Sequence, residues 1–96
     1  MPAYFIAFRD KMHDAARYAA YAQKAGPSLA GGGAKVIVAN GALTPIEGEC
    51  PDGVVIIEFP TVEAAKAWYD SPAYQAVVGE RLAATEGRAV IVEGLG

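Results

Sequence analysis

The chain is poor in cysteine, histidine and clustered positive charge, and each scarcity removes a class of function. Cys50 is the only cysteine among 96 residues. It excludes an internal disulfide and a thiolate metal cluster. Between Glu49 and Pro51, with no histidine in the segment, it reads as an incidental loop thiol. His13 is the only histidine, so a haem or metal site has no second ligand of that kind. The eight Lys and Arg residues are scattered singly and the net charge is −3. Nucleic-acid binding draws on grouped cations that neutralise phosphates, and that partner is discounted. No apolar run approaches the roughly 18 residues needed to cross a bilayer. The N-terminus enters a strand pattern at once, without a charged region or cleavage site. The expectation is a cytoplasmic protein with no membrane partner.

What is present is an apolar fraction of 53% with only 20% charged residues, the composition of a folded domain rather than a disordered chain. The length fits a single domain over residues 1–96. So small a domain leaves much of its surface exposed and gains from pairing with a second copy.

The order of elements follows from periodicity. Ala3 to Arg9 reads as a strand, followed by a polar connection from Asp10 to Asp14. Asp14 is positioned to cap a helix whose apolar stripe runs through Tyr18, Tyr21, Ala22, Ala25 and Leu29. Pro27 should kink this helix or start a last short turn, and Gly31-Gly32-Gly33 ends it. Lys35 to Asn40 is a second strand, which Leu43 and Ile46 could extend across a bulge at Asn40-Gly41. Val54 to Phe59 is the clearest strand. Thr61 caps a helix over Val62 to Tyr69. Ser71 and Pro72 start another that reaches about Ala84, closed by Glu86-Gly87. Ala89 to Glu93 is the last strand.

This β-α-β-β-α-β order predicts an α+β, ferredoxin-like fold: a four-stranded antiparallel sheet with helices on one face. Yet the strands are apolar at both parities. Tyr4, Ile6 and Phe8 alternate with Phe5 and Ala7, and Val54 and Ile56 with Val55, Ile57 and Phe59. The uncovered face would be a large apolar patch for a monomer. Two sheets packed across a two-fold axis would hide it, so a homodimer is expected.

With the elements placed, the chain resembles domain-of-unknown-function family 1330, a group of short bacterial proteins in the dimeric α/β-barrel superfamily. The resemblance runs nearly end to end. It is carried by the opening Pro-Ala-Tyr-Phe-Ile-Ala, Tyr18-x-x-Tyr21, the glycines at 31 to 33, Glu47-Gly48, Val55-Ile56-Ile57-Glu58-Phe59-Pro60, Ala67-Trp68-Tyr69-x-Ser71-Pro72-x-Tyr74 and Val90-Ile91-Val92-Glu93-Gly94. It implies a ferredoxin-like protomer in a side-by-side dimer. Related branches of the superfamily include cofactor-independent monooxygenases, haem-degrading enzymes, small isomerases and ligand-binding modules, so the fold does not settle function. The chain departs from the family at two positions where arginine is frequent, carrying Ala34-Lys35 after the glycine turn and Asn40 at the end of strand two. Lysine lacks the planar fork with which arginine grips an anion.

Few residues carry chemistry. His13 is the near-neutral acid/base candidate, in a loop beside Asp10 and Asp14. Glu58 interrupts an apolar strand, and a buried carboxylate must be paired, hydrogen-bonded or protonated. Arg9 and Arg81 are its candidate partners, and as a general base it would act in the sheet–helix cleft. Tyr18, Tyr21, Tyr69 and Tyr74, with Asn40, are the candidates for lining a ligand pocket. The three glycines run from helix to strand, opposite to a phosphate loop. Glu47, Glu49 and Asp52 form a solvated acidic loop rather than a metal site.

Three functional readings emerge. The leading one is a small organic ligand held between sheet and helices, with no cofactor. The second is a cofactor-independent enzyme of monooxygenase or isomerase type, with His13 or Glu58 as base. The third is a structural dimer without a ligand site.

Overall fold

The computed structural model describes residues 1–96. Strand β1 spans Ala3–Met12, helix α1 Ala15–Ala25, β2 Lys35–Ala39, β3 Gly53–Phe59, α2 Val62–Tyr69, α3 Pro72–Ala84 and β4 Thr85–Glu93, with a 3₁₀ turn at Gly26–Leu29. The four strands pair in the order β2-β3-β1-β4, and every pairing is antiparallel. No helix is long and apolar enough to cross a membrane.

The helix starts obey local chemistry. The Asp14 carboxylate accepts the Arg17 N–H, Thr61 Oγ1 accepts that of Ala64, and Ser71 Oγ accepts that of Tyr74. Each satisfies a first-turn donor that the helix itself leaves free. Pro72 occupies the first turn of α3, where its missing N–H costs nothing. At the other proline, α1 stops at Ala25 and the chain continues as the 3₁₀ turn.

Three expectations are corrected. β1 runs on to Met12 and β4 begins at Thr85, because Lys11 pairs with Glu86 and Met12 with Thr85 beyond a bulge between Arg9 and Lys11. Backbone pairing holds these mostly polar residues in a ladder that their side chains do not advertise. Glu86-Gly87, read as a helix end, therefore lies inside a strand. Gly87 sits opposite Arg9 there, and a side chain on it would strike the Phe8 carbonyl. In β2 the register shift falls between Val36 and Val38 rather than at Asn40-Gly41. Leu43 and Ile46 lie outside any strand, and Ile46 is 84% exposed.

Residues facing each other across the ladder share a side of the sheet. Phe5 pairs with Ile57 and Ile91, and Ala7 with Val55 and Ala89. This side meets the helices: Phe5, Ile57 and Phe59 pack with Ala65, Trp68, Tyr74 and Val78 in one buried cluster. Trp68 is its hub. Its ring centroid lies 5.1 Å from Phe5, 5.5 Å from Phe59 and 4.2 Å from Tyr74, and its indole N–H donates to Ser28 Oγ at 3.0 Å. Tyr4, Ile6, Phe8, Val54, Ile56, Glu58, Val90 and Val92 occupy the opposite side, which no helix of the chain covers. Val90 and Val92 are 49% and 46% exposed there.

Candidate functional site

Helix α1 buries none of its residues fully. Its sheet-facing stripe is tyrosine and alanine, and Ala22 and Ala25 on the helix face a gap that Ala7 and Ala39 line from the sheet. Close packing of interiors requires that such gaps be filled. Here a space of about 200 Å3 remains, lined chiefly by apolar side chains that include Phe5, Leu29, Ile57 and Trp68. It opens into a wider, more polar space of about 480 Å3 towards the ends of β1 and β4. Ala7, Tyr18, Asn40, Val55 and Arg81 line both, so the two form one cleft with an apolar end and a charged mouth.

The mouth is organised around Arg9. This residue shares the parity of Phe5 and Ala7 and so faces α1. Its Nη1 donates to Asn40 Oδ1 at 3.3 Å, its Nε to Asp52 Oδ2 at 3.3 Å and its Nη2 to the Asp52 carbonyl at 3.2 Å. Its guanidinium lies 5.1 Å from the Tyr18 ring centroid, within cation–π range. Asn40 completes the link by donating from Nδ2 to the Tyr18 hydroxyl at 3.2 Å. Asn40 holds φ at 56°, a left-handed conformation that asparagine tolerates better than most residues. Gly53 is required beneath this network, because a Cβ there would come within 2.5 Å of both Arg9 Nη2 and Asn40 Oδ1.

Arg81 stands between the mouth and the apolar end. Its guanidinium lies 5.9 Å from the Phe5 ring centroid. Its Nη1 is buried and has no hydrogen-bond partner. The ion pairs of the chain are Arg9–Asp52, His13–Glu86, Arg17–Glu80 and Arg88–Asp10, which leaves Arg81 without a carboxylate.

Of the residues expected to line a pocket, Tyr18, Tyr21 and Asn40 do so. Tyr74 and Tyr69 do not. Tyr74 is fully buried, and the half-buried Tyr69 packs against Phe5 and Tyr74. The Tyr21 and Tyr74 hydroxyls share a hydrogen bond of 2.8 Å. Burial raises the pKa of the Tyr21 phenol, while the bond to Tyr74 and the Arg81 charge pull it back. Burial, then the bond to Tyr21, raises Tyr74 strongly.

Glu58 lies elsewhere. It pairs with Tyr4 on β1 and Lys35 on β2 and accepts a hydrogen bond of 3.2 Å from the Tyr4 hydroxyl. That bond raises the pKa of the half-buried Tyr4 phenol. Glu58 is thus on the sheet face away from the helices, out of reach of Arg9 and Arg81, and the expected place in the sheet–helix cleft is corrected. Lys35 shares that outer face. His13 also has an unexpected partner: its Nε2 meets the Glu86 carboxylate, while Asp14 is engaged as the α1 cap and Asp10 pairs with Arg88. Glu86 lines the cleft mouth, which puts His13 just behind the rim.

Sequence reasoning overlooked Arg9 and Arg81 as site residues. The signal was present in Arg9, whose parity matches Phe5 rather than Tyr4.

Comparison with solved structures places this fold among known ones. A protein of unknown function from Rhodopseudomonas palustris is 26% identical, with a TM-score of 0.74 over 99% of this chain and 83% of that one. A dimeric protein of unknown function and ferredoxin-like fold from Bacteroides fragilis is 15% identical, with a TM-score of 0.59 over 97% and 95%. A cofactor-independent oxygenase from Streptomyces nogalater is 11% identical, with a TM-score of 0.62 over 99% and 93%. The last two likenesses concern the fold alone. No curated protein matches the chain. Residues 2–95 match the family described as domain of unknown function DUF1330, and the chain belongs to that family.

Proposed function

We propose that the protein binds a small organic molecule in the cleft between α1 and the sheet, and does so as a homodimer. The observation that carries the first part is the apolar gap of about 200 Å3 beneath the alanines of α1. An apolar cavity of about 150 Å3 is enough to hold benzene, so the gap suits a single ring with a short substituent. Trp68 lines the gap and is the only tryptophan, so its emission reports occupancy. A small aromatic amide, 3-phenylpropionamide, is expected to shift that emission saturably, and Ala22→Phe, which fills the gap, is expected to abolish the response. An unsaturable response, or one that survives Ala22→Phe, would defeat the proposal.

The dimer is supported by the apolar, helix-free face of the sheet and by the dimeric state named for the Bacteroides fragilis neighbour. A second copy placed face to face would bury Val90, Val92, Ile6 and Ile56 together.

A second reading, a cofactor-independent enzyme, draws on the fold shared with the oxygenase and on the His13–Glu86 pair at the rim. His13 would be its base, since Glu58 faces away from the cleft. Consumption of a bound ligand by the wild type but not by His13→Gln would favour it.

A further inference from the structure

The chemistry of the ligand is written in the one charge of the cleft that lacks a counterpart. We infer that the cleft takes a monoanionic carboxylate on a short apolar body, with the carboxylate on Arg81 and the body beneath α1. This inference rests on the reading that the cleft is a ligand site, and deepens it.

A buried N–H without an acceptor is rare in folded proteins and calls for a specific partner. Arg81 as a whole is half-buried, but its Nη1 is cut off from water, and a charged donor left so calls for an acceptor. The Phe5 ring at 5.9 Å attracts the charge but gives Nη1 no lone pair to bond. All four carboxylates in the chain's ion pairs are taken by other cations. Arg81 lines both ends of the cleft, so an anion entering by the mouth meets it before the apolar end. The guanidinium fork matches a carboxylate in two parallel hydrogen bonds.

Arg9 adds a second positive charge at the mouth, already engaged by Asp52 and Asn40. The mouth also carries Asp10, Glu86 and Arg88, so its charged lining comes to one net positive charge, which suits a monoanion better than a dianion and points to a carboxylate over a phosphate. Behind Arg81 the lining turns apolar, with Phe5, Leu29, Ile57 and Trp68, and a body without polar groups is what that surface accepts.

The test compares 3-phenylpropionate with 3-phenylpropionamide, which share a body and differ in charge. Affinities are measured by NMR titration on the wild type, Arg81→Met and Arg81→Lys. The acid should bind the wild type about tenfold or more tighter than the amide, as charged hydrogen bonds warrant. Arg81→Met should remove that preference, bringing acid and amide to equal affinity, and Arg81→Lys should restore part of it. Equal affinities of acid and amide for the wild type would overturn the anion inference and leave the ligand cleft standing. An acid preference that survives in a folded Arg81→Met variant would overturn the assignment to Arg81. No binding of either compound at millimolar concentration would overturn the cleft reading along with it. The wild-type comparison decides the charge question even where a variant fails to fold.

Discussion

The hydroxyls of Tyr21 and Tyr74 meet at 2.8 Å, tying α1 to α3 beside the apolar end of the cleft. Tyr74 is a core residue with no exposed surface, and Tyr21 is a cleft residue. The bond therefore joins the part of the molecule that is packed to the part that is not.

Removing either hydroxyl leaves the other without its partner. Tyr21→Phe and Tyr74→Phe are each expected to cost about 1–3 kcal/mol of unfolding free energy, read from urea denaturation midpoints. The double variant should cost less than the sum of the two, since both lose the same bond.

The same phenols set a pH dependence. Both are raised above the ordinary tyrosine value in the folded chain, while the unfolded chain titrates near pH 10. Below that pH both states hold the proton and these groups give no slope. Above it the unfolded state loses protons first, so stability falls as pH rises. Denaturation midpoints should be flat with respect to these groups below about pH 10 and decline above it, and the decline should shrink in the Tyr21→Phe, Tyr74→Phe double variant.

Gly53 offers a way to disturb the mouth without emptying the core. An alanine there collides with the far ends of Arg9 and Asn40, both of which can swing away. Gly53→Ala is expected to fold, to lose the Arg9–Asn40–Tyr18 linkage, and to weaken ligand binding. Side-chain NMR of Asn40 and a ligand titration read the two effects separately. Gly87→Ala, by contrast, meets the backbone carbonyl of Phe8, and its cost should exceed about 2 kcal/mol, the scale of overpacking that nothing nearby can relieve.

The open sheet face makes its own prediction. Val90→Lys with Val92→Lys would place cations against each other across a two-fold axis and expose nothing new in a lone chain. Light scattering should show a dimer for the wild type and a monomer for the variant, with the far-ultraviolet circular dichroism unchanged. A wild-type monomer would remove the dimer from the proposal.

Glu58→Gln should leave ligand affinity untouched, because Glu58 and the cleft lie on opposite sides of the sheet. A large loss of affinity in the titration would contradict the register that pairs Glu58 with Tyr4.

The fold was largely legible because β1 and β3 are short runs apolar at both parities and the caps at Asp14, Thr61 and Ser71 are strong local signals. The extended ends of β1 and β4 were not, since Lys11–Glu86 and Met12–Thr85 pairing depends on two strands meeting across the whole chain. Of the site, Tyr18 and Tyr21 were readable from the stripe of α1. The error over Glu58 came from pairing it with arginines by charge, where parity decides: Glu58 follows Ile56, while Arg9 follows Phe5 and Ala7. The fates of Tyr69 and Tyr74 hinged on packing against Phe5 and Trp68 respectively, tertiary contacts that no local pattern encodes.

Strand β1 presents Phe5 and Arg9 to one side and Ile6 and Phe8 to the other. Inserting one residue between Ile6 and Ala7 would put Phe5 and Arg9 on opposite sides, so that either the Arg9 charge leaves the mouth or the Phe5 ring leaves the core. The strand can change its letters within each side's chemistry, but its count is fixed, and length variation in this chain belongs in the exposed stretch between Gly41 and Pro51.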